Sequence, residues 1–457
     1  VSFWKIAWRN IQQRALASSL TGLSMALGVA LMILVLVIHQ VVVDQLSNDA
    51  QGYHLIIGGG KGSKFDVVLS TVFHFGTALY PIPYEYYKEF VDGEYAPLVD
   101  VAVPVCLGDS FESEDGQLFR VVGTTPEMFD RLRYGVDDDG QDLRYRFRSG
   151  RNFKAENFFE AVVGSVTANR TGLKVGDRFR PTHGMSGEGE KHDEFEVVGV
   201  LAPTGTANDR ALFVNVEGFY LLDGHALAPT DARTDTPTDD KIPPPQSPSR
   251  PDSPSESSSP PPSASQPPPL PEAQRQVTSV LVLCDEDQMM ASMMIEKGVN
   301  KSLDGVAQAV APTNVIERLK QGFLAPMKMI LLVLTVLIVI VAGISILVSI
   351  YNSMSERSHD IAVMRALGAS RTHVMGIILV ESILLSTLAG IAGMLLGHAI
   401  LAAASPLVEF YTGVTVRAWE SSPQEWLLIP GLVAFAAAVG LLPAVTAYRT
   451  DVTKALG

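Results

Sequence analysis

Apolar residues dominate four stretches of the chain: Leu20–Val43, Met329–Tyr351, Val374–Ala404 and Trp426–Ala447. At about 1.5 Å per helical residue, each is long enough to cross ~30 Å of hydrocarbon. The pattern therefore predicts four membrane-spanning helices. Before the first, Ser2–Leu16 reads as an amphipathic helix, with Trp4, Trp8, Ile11 and Ala15 at helical spacing and Lys5, Arg9 and Gln12 off that stripe. A basic helix with tryptophans sits naturally among lipid headgroups.

Between the first two spans the rhythm changes. Short β-prone runs at His54–Ile57, Leu118–Val122, Ala161–Gly164, Phe195–Val200, Ala211–Val214 and Val277–Leu283 predict strands. Tyr84–Phe90, Glu127–Leu132 and Glu286–Lys297 predict helices. Strands and helices mix without regular βαβ alternation, which is an α+β pattern. Span one stays helix-compatible past Val43, and Asn314–Gly322 is helical up to span two with Pro326 the only interruption. The large domain is thus expected to stand on two helices that continue into the membrane.

The domain plan that follows is a helix over 1–18, span one over 19–43, a large α+β domain over 44–322 and span two over 323–351. A polar connection over 352–373, span three over 374–404, a loop over 405–425, span four over 426–448 and a tail over 449–457 complete it. Within the large domain, residues 226–274 are rich in Pro and Ser and nearly free of bulky apolar side chains, so this insertion is expected to be disordered.

Charge orients this plan. The chain carries a formal −14, but between Asp44 and Gly322 there are 25 Lys and Arg against 42 Asp and Glu, or −17. Lys5, Arg9 and Arg14 precede span one; Arg357, Arg365 and Arg371 separate spans two and three; Arg449 and Lys454 follow span four. The positive-inside rule then puts both termini and the 352–373 connection in the cytoplasm and the acidic domain outside. Span one is expected to be retained as an anchor, since no A-x-A site directly follows it. An oxidising outer compartment would permit a disulfide between Cys106 and Cys284, with two separate buried thiols as the alternative.

Few residues suggest chemistry. GGGKGS at Gly58–Ser63 fails the phosphate-loop pattern, because Lys61 is followed by Gly62, and reads as a glycine-rich turn. HGMSGEG at His183–Gly189 is not a nucleophile elbow and reads as a hairpin loop. His192, with Asp193 and Glu194, reads as a surface charge run. The nine histidines and two cysteines show no ligand spacing, so no metal or cofactor is expected, and no basic–aromatic cluster suggests nucleic acid. Glu381 is the one carboxylate well inside a span and is a functional candidate by default. Its alternatives are snorkelling to the cytoplasmic interface, pairing with a neighbouring helix and ion conduction; the single carboxylate favours pairing over conduction. Gly390, Gly393 and Gly397 form a small-residue face suited to close helix contact, either within the chain or between two copies.

The stretch SERSHDIAVMRALGASRTHVMGIILVESILL resembles the signature of FtsX-like ABC transporter permeases, including MacB-type exporters. In that signature E-R-x-x-[DE]-I-x-x-x-[RK]-A-x-G-A follows span two, here Glu356, Arg357, Asp360, Ile361, Arg365, Ala366, Gly368 and Ala369. A glutamate early in span three matches Glu381. Trp8–Ala30 and Leu441–Leu456 match more weakly. The resemblance implies a MacB-like periplasmic core between spans one and two, location in a bacterial plasma membrane, and a dimer of permeases seated on two copies of a cytoplasmic ABC ATPase. It also implies that residues Glu356 to Arg371 form a coupling helix, with Ile361, Met364 and Leu367 as apolar anchors and the arginines orienting it. No Walker motif occurs in the chain, so ATP is expected on a partner subunit and the chain is not expected to be an enzyme. An extracytoplasmic adaptor is a further candidate partner. The implied work is export or extraction of a substrate; the alternative is an FtsX-type regulator of cell-wall hydrolases. A membrane-anchored enzyme is a third class, which no constellation of catalytic residues supports.

Overall fold

The computed structural model describes residues 3–13, 15–76, 80–137, 139–184, 189, 191–222, 225, 267–285, 290–301, 305–356, 370–412, 414, 416, 419 and 425–449. The chain forms two compact units, one of residues 1–48 and 316–457, the other of residues 49–315.

The 49–315 unit is built on a mixed sheet. Its strands in chain order begin β1 (Leu55–Gly59), β2 (Ile82–Pro83), β3 (Val99–Glu112), β4 (Leu118–Thr124), β5 (Arg133–Val136), β6 (Asp142–Arg144) and β7 (Phe147–Gly150). They continue β8 (Glu160–Val163), β9 (Arg178–Phe179), β10 (Thr182–His183), β11 (Phe195–Leu201), β12 (Ala211–Asn215), β13 (Gln276–Val277), β14 (Ser279–Cys284) and β15 (Ala307–Val310). The main sheet has the order β15-β1-β14-β3-β4-β12-β8-β11-β7, with β10 added to β3 and β9 to β11. The β12–β4 and β11–β8 pairs are parallel and the other ladders antiparallel. β1, β12 and β14 are buried at every position. That is why they read as continuous apolar runs rather than alternating ones: both faces of these strands are covered.

The longest strand, β3, is among those the sequence pattern does not predict. β3 contains Pro104, Gly108 and Asp109, three residue types depleted in strands. The fold accommodates each. Pro104 lies one residue beyond the β4 ladder, whose last pair is Val105 with Thr124, and its carbonyl accepts from the Thr124 hydroxyl at 2.9 Å. Gly108 and Asp109 occupy a register shift against β4 between Leu107 and Asp109, a bulge that re-aims a side chain.

GGGKGS forms the end of β1 and a turn into the Lys64–Thr71 helix, where Ser63 and Asp66 make a reciprocal capping box. Glycine is required there by close backbone approach: a Cβ on Gly60 would stand 2.2 Å from the Gly305 carbonyl oxygen. Of the insertion predicted over 226–274, residues 226–266 lie outside the described residues. Its last part is ordered, contrary to expectation: Leu270 packs on the core and Glu272–Gln274 is a 3-10 turn. Leu270 is the bulky apolar side chain that the composition argument discounted.

The second unit is helical: Phe3–Gln13, Ala15–Asp49, Ala325–Glu356, Arg371–Thr412 and Leu428–Arg449. Among the described residues three helical runs are long and apolar enough to cross a membrane, Ala15–Asp49, Pro312–Val341 and Thr372–Tyr411. The sequence pattern predicts four. The fourth region is a helix, but its described apolar part, Glu425–Leu441, is shorter than the other three. Along the crossing helices Leu23, Leu27, Ile330, Val333 and Leu337 face outward, which suits lipid rather than water.

Both helical runs that join the units are unbroken. Ala15–Asp49 is one helix, and Pro312–Leu319 continues through a π-turn, Lys320–Leu324, into Ala325–Glu356. The π-turn sits where Pro326 needs it. A proline ring crowds the carbonyl four residues back, here within the wider turn.

Candidate functional site

The residues singled out by sequence fall in three places. Arg357, Asp360, Ile361, Met364, Arg365, Leu367 and Gly368 lie outside the described residues. Glu356 is the last residue of the Ala325–Glu356 helix. Glu381 lies in the Arg371–Thr412 helix, where its Oε2 accepts a hydrogen bond from Asn10 Nδ2 at 3.3 Å. The N-terminal helix packs on this same helix. Its fully buried residue is Ala7, whereas Trp4 and Trp8 are exposed, so the tryptophan stripe faces away from the bundle.

The glycine face packs within the chain. A Cβ on Gly393 would lie 2.5 Å from the Ala26 carbonyl oxygen and one on Gly397 3.1 Å from Ile33 Cβ, both on the first span. One on Gly390 would lie 3.1 Å from Leu432 Cδ2. Met25, Val29, Ile33, Ala389, Leu401 and Leu432 form the apolar cluster around these contacts.

Cys106 and Cys284 are both buried and free. They lie on neighbouring strands, but Cys284 pairs with Val99, seven residues from Cys106 along β3. At about 3.3 Å per residue that is ~23 Å, several times disulfide reach. The permitted disulfide is therefore absent.

A constellation that spacing along the chain does not reveal lies in the 49–315 unit. β10 pairs with β3 so that His183 stands opposite Asp109. Thr182 and Lys191 form a bridge, and the His192 N–H donates to the Pro181 carbonyl at 2.9 Å, which brings His192 back beside His183. His225 follows the Val216–Tyr220 helix and lies on the Phe219 ring, centroids 4.3 Å apart. It fits because β3 has glycine at 108, where a Cβ would stand 3.0 Å from His225 Cε1.

All three imidazoles converge on one carboxylate. His225 Nε2 lies 3.0 Å from Asp109 Oδ1, His183 Nδ1 3.4 Å from the same oxygen, and His192 Nε2 3.6 Å from Oδ2. The four donor atoms lie within 4.8 Å of one another. Asp109 is 0% exposed, His192 is buried and His183 half exposed. His192 is thus not part of a surface charge run: Asp193 and Glu194 are exposed, while strand pairing turns His192 inward. The available signal was a glycine and an aspartate directly after the apolar run Val101–Leu107; His225 is 42 and 33 residues from His183 and His192, so spacing alone conceals the cluster.

Comparison with known proteins gives two matching families. Residues 18–239 match the MacB-like periplasmic core domain and residues 332–451 the FtsX-like permease C-terminal region. An uncharacterized ABC transporter permease of Methanocaldococcus jannaschii is 25% identical over 68% of this chain and 63% of its own length. The macrolide export ATP-binding/permease protein MacB of Hyphomonas neptunium is 33% identical over 26% of this chain and 17% of its own. The uncharacterized permease YknZ of Bacillus subtilis is 30% identical over 27% of this chain and 32% of its own. The matched stretches thus span less than two thirds of these relatives. The extracellular domain of a YknZ transporter from Gram-positive bacteria covers 57% of this chain at 13% identity, with a TM-score of 0.28, too low to speak to the fold.

Proposed function

The chain belongs to the FtsX-like, MacB-type permeases of ABC transporters, and from that premise we propose that it is the membrane subunit through which a separate cytoplasmic ATPase moves an extracytoplasmic domain. The observation that supports this most is the continuity of two helical runs, Ala15–Asp49 and Pro312–Glu356, across the boundaries of the two compact units. A helix transmits displacement because each residue is held to the residue four away. Two such runs flanking the 49–315 unit give movement at the membrane a direct path into the sheet, since β1 begins six residues after Asp49.

On this reading four helices cross the membrane, both termini and the 357–369 segment face the cytoplasm, and the ATPase docks on Ile361, Met364 and Leu367. Two copies of the chain assemble, and substrate is exported or extracted from the outer side. Co-purification tests the docking: the full chain should carry an ABC ATPase out of the membrane, and Met364→Asp with Leu367→Asp should lose it. Undiminished co-purification by the double variant would remove the docking assignment.

A further inference from the structure

We propose that Asp109, His183, His192 and His225 form a binding site for one divalent transition-metal ion of the zinc class. Three imidazole nitrogens and one carboxylate oxygen are the donor set such an ion takes in tetrahedral geometry. Ligand atoms 2.0–2.1 Å from a shared tetrahedral centre stand about 3.3 Å apart. His225 Nε2 and His183 Nδ1 stand 3.0 and 3.4 Å from Asp109 Oδ1 and His192 Nε2 3.6 Å from Oδ2, and the four donor atoms, one from each residue, all lie within 4.8 Å of one another.

The ring positions give a second test of the geometry. The centroids of His183, His192 and His225 are 5.2, 5.4 and 5.7 Å apart, a nearly equilateral triangle. Three imidazoles on one tetrahedral ion put their centroids about 5 Å apart. A hydrogen-bonded side-chain cluster has no reason to adopt that spacing.

The carboxylate supplies an independent observation. Asp109 is fully buried, and among the described residues its Oδ2 has no hydrogen-bond partner. A buried carboxylate oxygen without a donor is unfavourable, because it has left water and gained no partner, and a cation at the centre of the cluster would satisfy it. Gly108 and the β3 bulge aim Asp109 at this point and leave room for the His225 ring.

The site joins three pieces of chain: β3, the bridged residues Thr182–His183 and Lys191–His192, and His225. Four protein donors complete a tetrahedral shell, so the ion serves as a structural clasp rather than a hydrolytic centre, which keeps an open position. His183, half exposed, is the side through which the ion enters.

The test uses the full chain in detergent with any affinity tag removed. After chelator treatment and dialysis, Zn²⁺ should bind at one per chain and raise the thermal midpoint. Co²⁺ should give the intense visible bands of tetrahedral coordination. His183→Gln changes an exposed side chain and should leave the fold intact while weakening Zn²⁺ binding about tenfold or more; His192→Gln should do the same or worse, and a control at His39 should change nothing. X-ray absorption of the wild-type zinc form, which needs no variant, should show about three imidazoles per ion. No stoichiometric binding, equal loss at His39, or a spectrum with fewer than two imidazoles would each overturn the proposal.

Discussion

Asn10 and Glu381, 371 residues apart, are joined by a hydrogen bond from Nδ2 to Oε2 of 3.3 Å. The amphipathic N-terminal helix is thereby tied to the carboxylate of the Arg371–Thr412 helix. If this pairing is the role of Glu381, Glu381→Gln keeps an acceptor for Asn10 and should be nearly silent in thermal stability and in ATPase coupling. Glu381→Leu removes the acceptor and should cost about 1–3 kcal/mol. Loss of coupling in Glu381→Gln, with stability retained, would instead indicate that its charge is used.

Gly393 tolerates no side chain where it meets Ala26. Gly393→Ala places a methyl group 2.5 Å from a backbone oxygen, so the helices must part, at a cost of about 1–3 kcal/mol. Gly390→Ala meets only the end of Leu432 at 3.1 Å and should cost less. Thermal midpoints in detergent should fall in that order, with oligomeric state unchanged. Dissociation of an oligomer without a lower midpoint would place this face between copies.

The two buried thiols should be silent. Burial pushes the Cys106 thiol up to about 12 and the Cys284 thiol up to about 11, so neither forms thiolate at neutral pH. Alkylation of the native chain at pH 7 should label neither, and after unfolding without reductant should label both. Labelling that requires reductant would contradict the free state.

Acid should weaken the 49–315 unit through His74. Its Nδ1 is buried, and desolvation, with smaller effects from Arg120 and Arg210, lowers its pKa from 6.5 to about 4, against a hydrogen bond with Asn208 that raises it. The unfolded chain therefore binds a proton that the folded chain refuses. Stability is complete above about pH 6.5 and falls as pH drops to about 4, by no more than about 3 kcal/mol. His74→Asn should flatten unfolding midpoints across that window. An unchanged slope would assign the acid sensitivity to other groups.

The chain's legibility differed sharply between its parts. Apolar runs announced the three helical runs long enough to cross a membrane among the described residues, because lipid demands continuous hydrophobicity, and fully buried strands such as β12 were visible as Ala211–Val214. β3 was hidden because Pro104, Gly108 and Asp109 break strand propensity, each for a reason found only in its neighbours. The histidine cluster was hidden for the same reason: Asp109 meets its three partners through strand pairing and a helix return, none of which leaves a spacing motif. The signature that opens at Glu356 was the opposite case, plain in sequence, with residues 357–369 outside the described residues.

On the proposed function, ATP-driven movement reaches the 49–315 unit through the two continuous helical runs. The most direct measurement is hydrogen exchange of backbone amides in residues 49–315, with the chain and its ATPase together in lipid nanodiscs, trapped with ATP or held with ADP. Exchange should differ between the two states in the segments next to the joining helices, around β1 (Leu55–Gly59) and β15 (Ala307–Val310), and Met364→Asp with Leu367→Asp should abolish the difference. Identical exchange in both states while the ATPase turns over at its full rate would contradict the account.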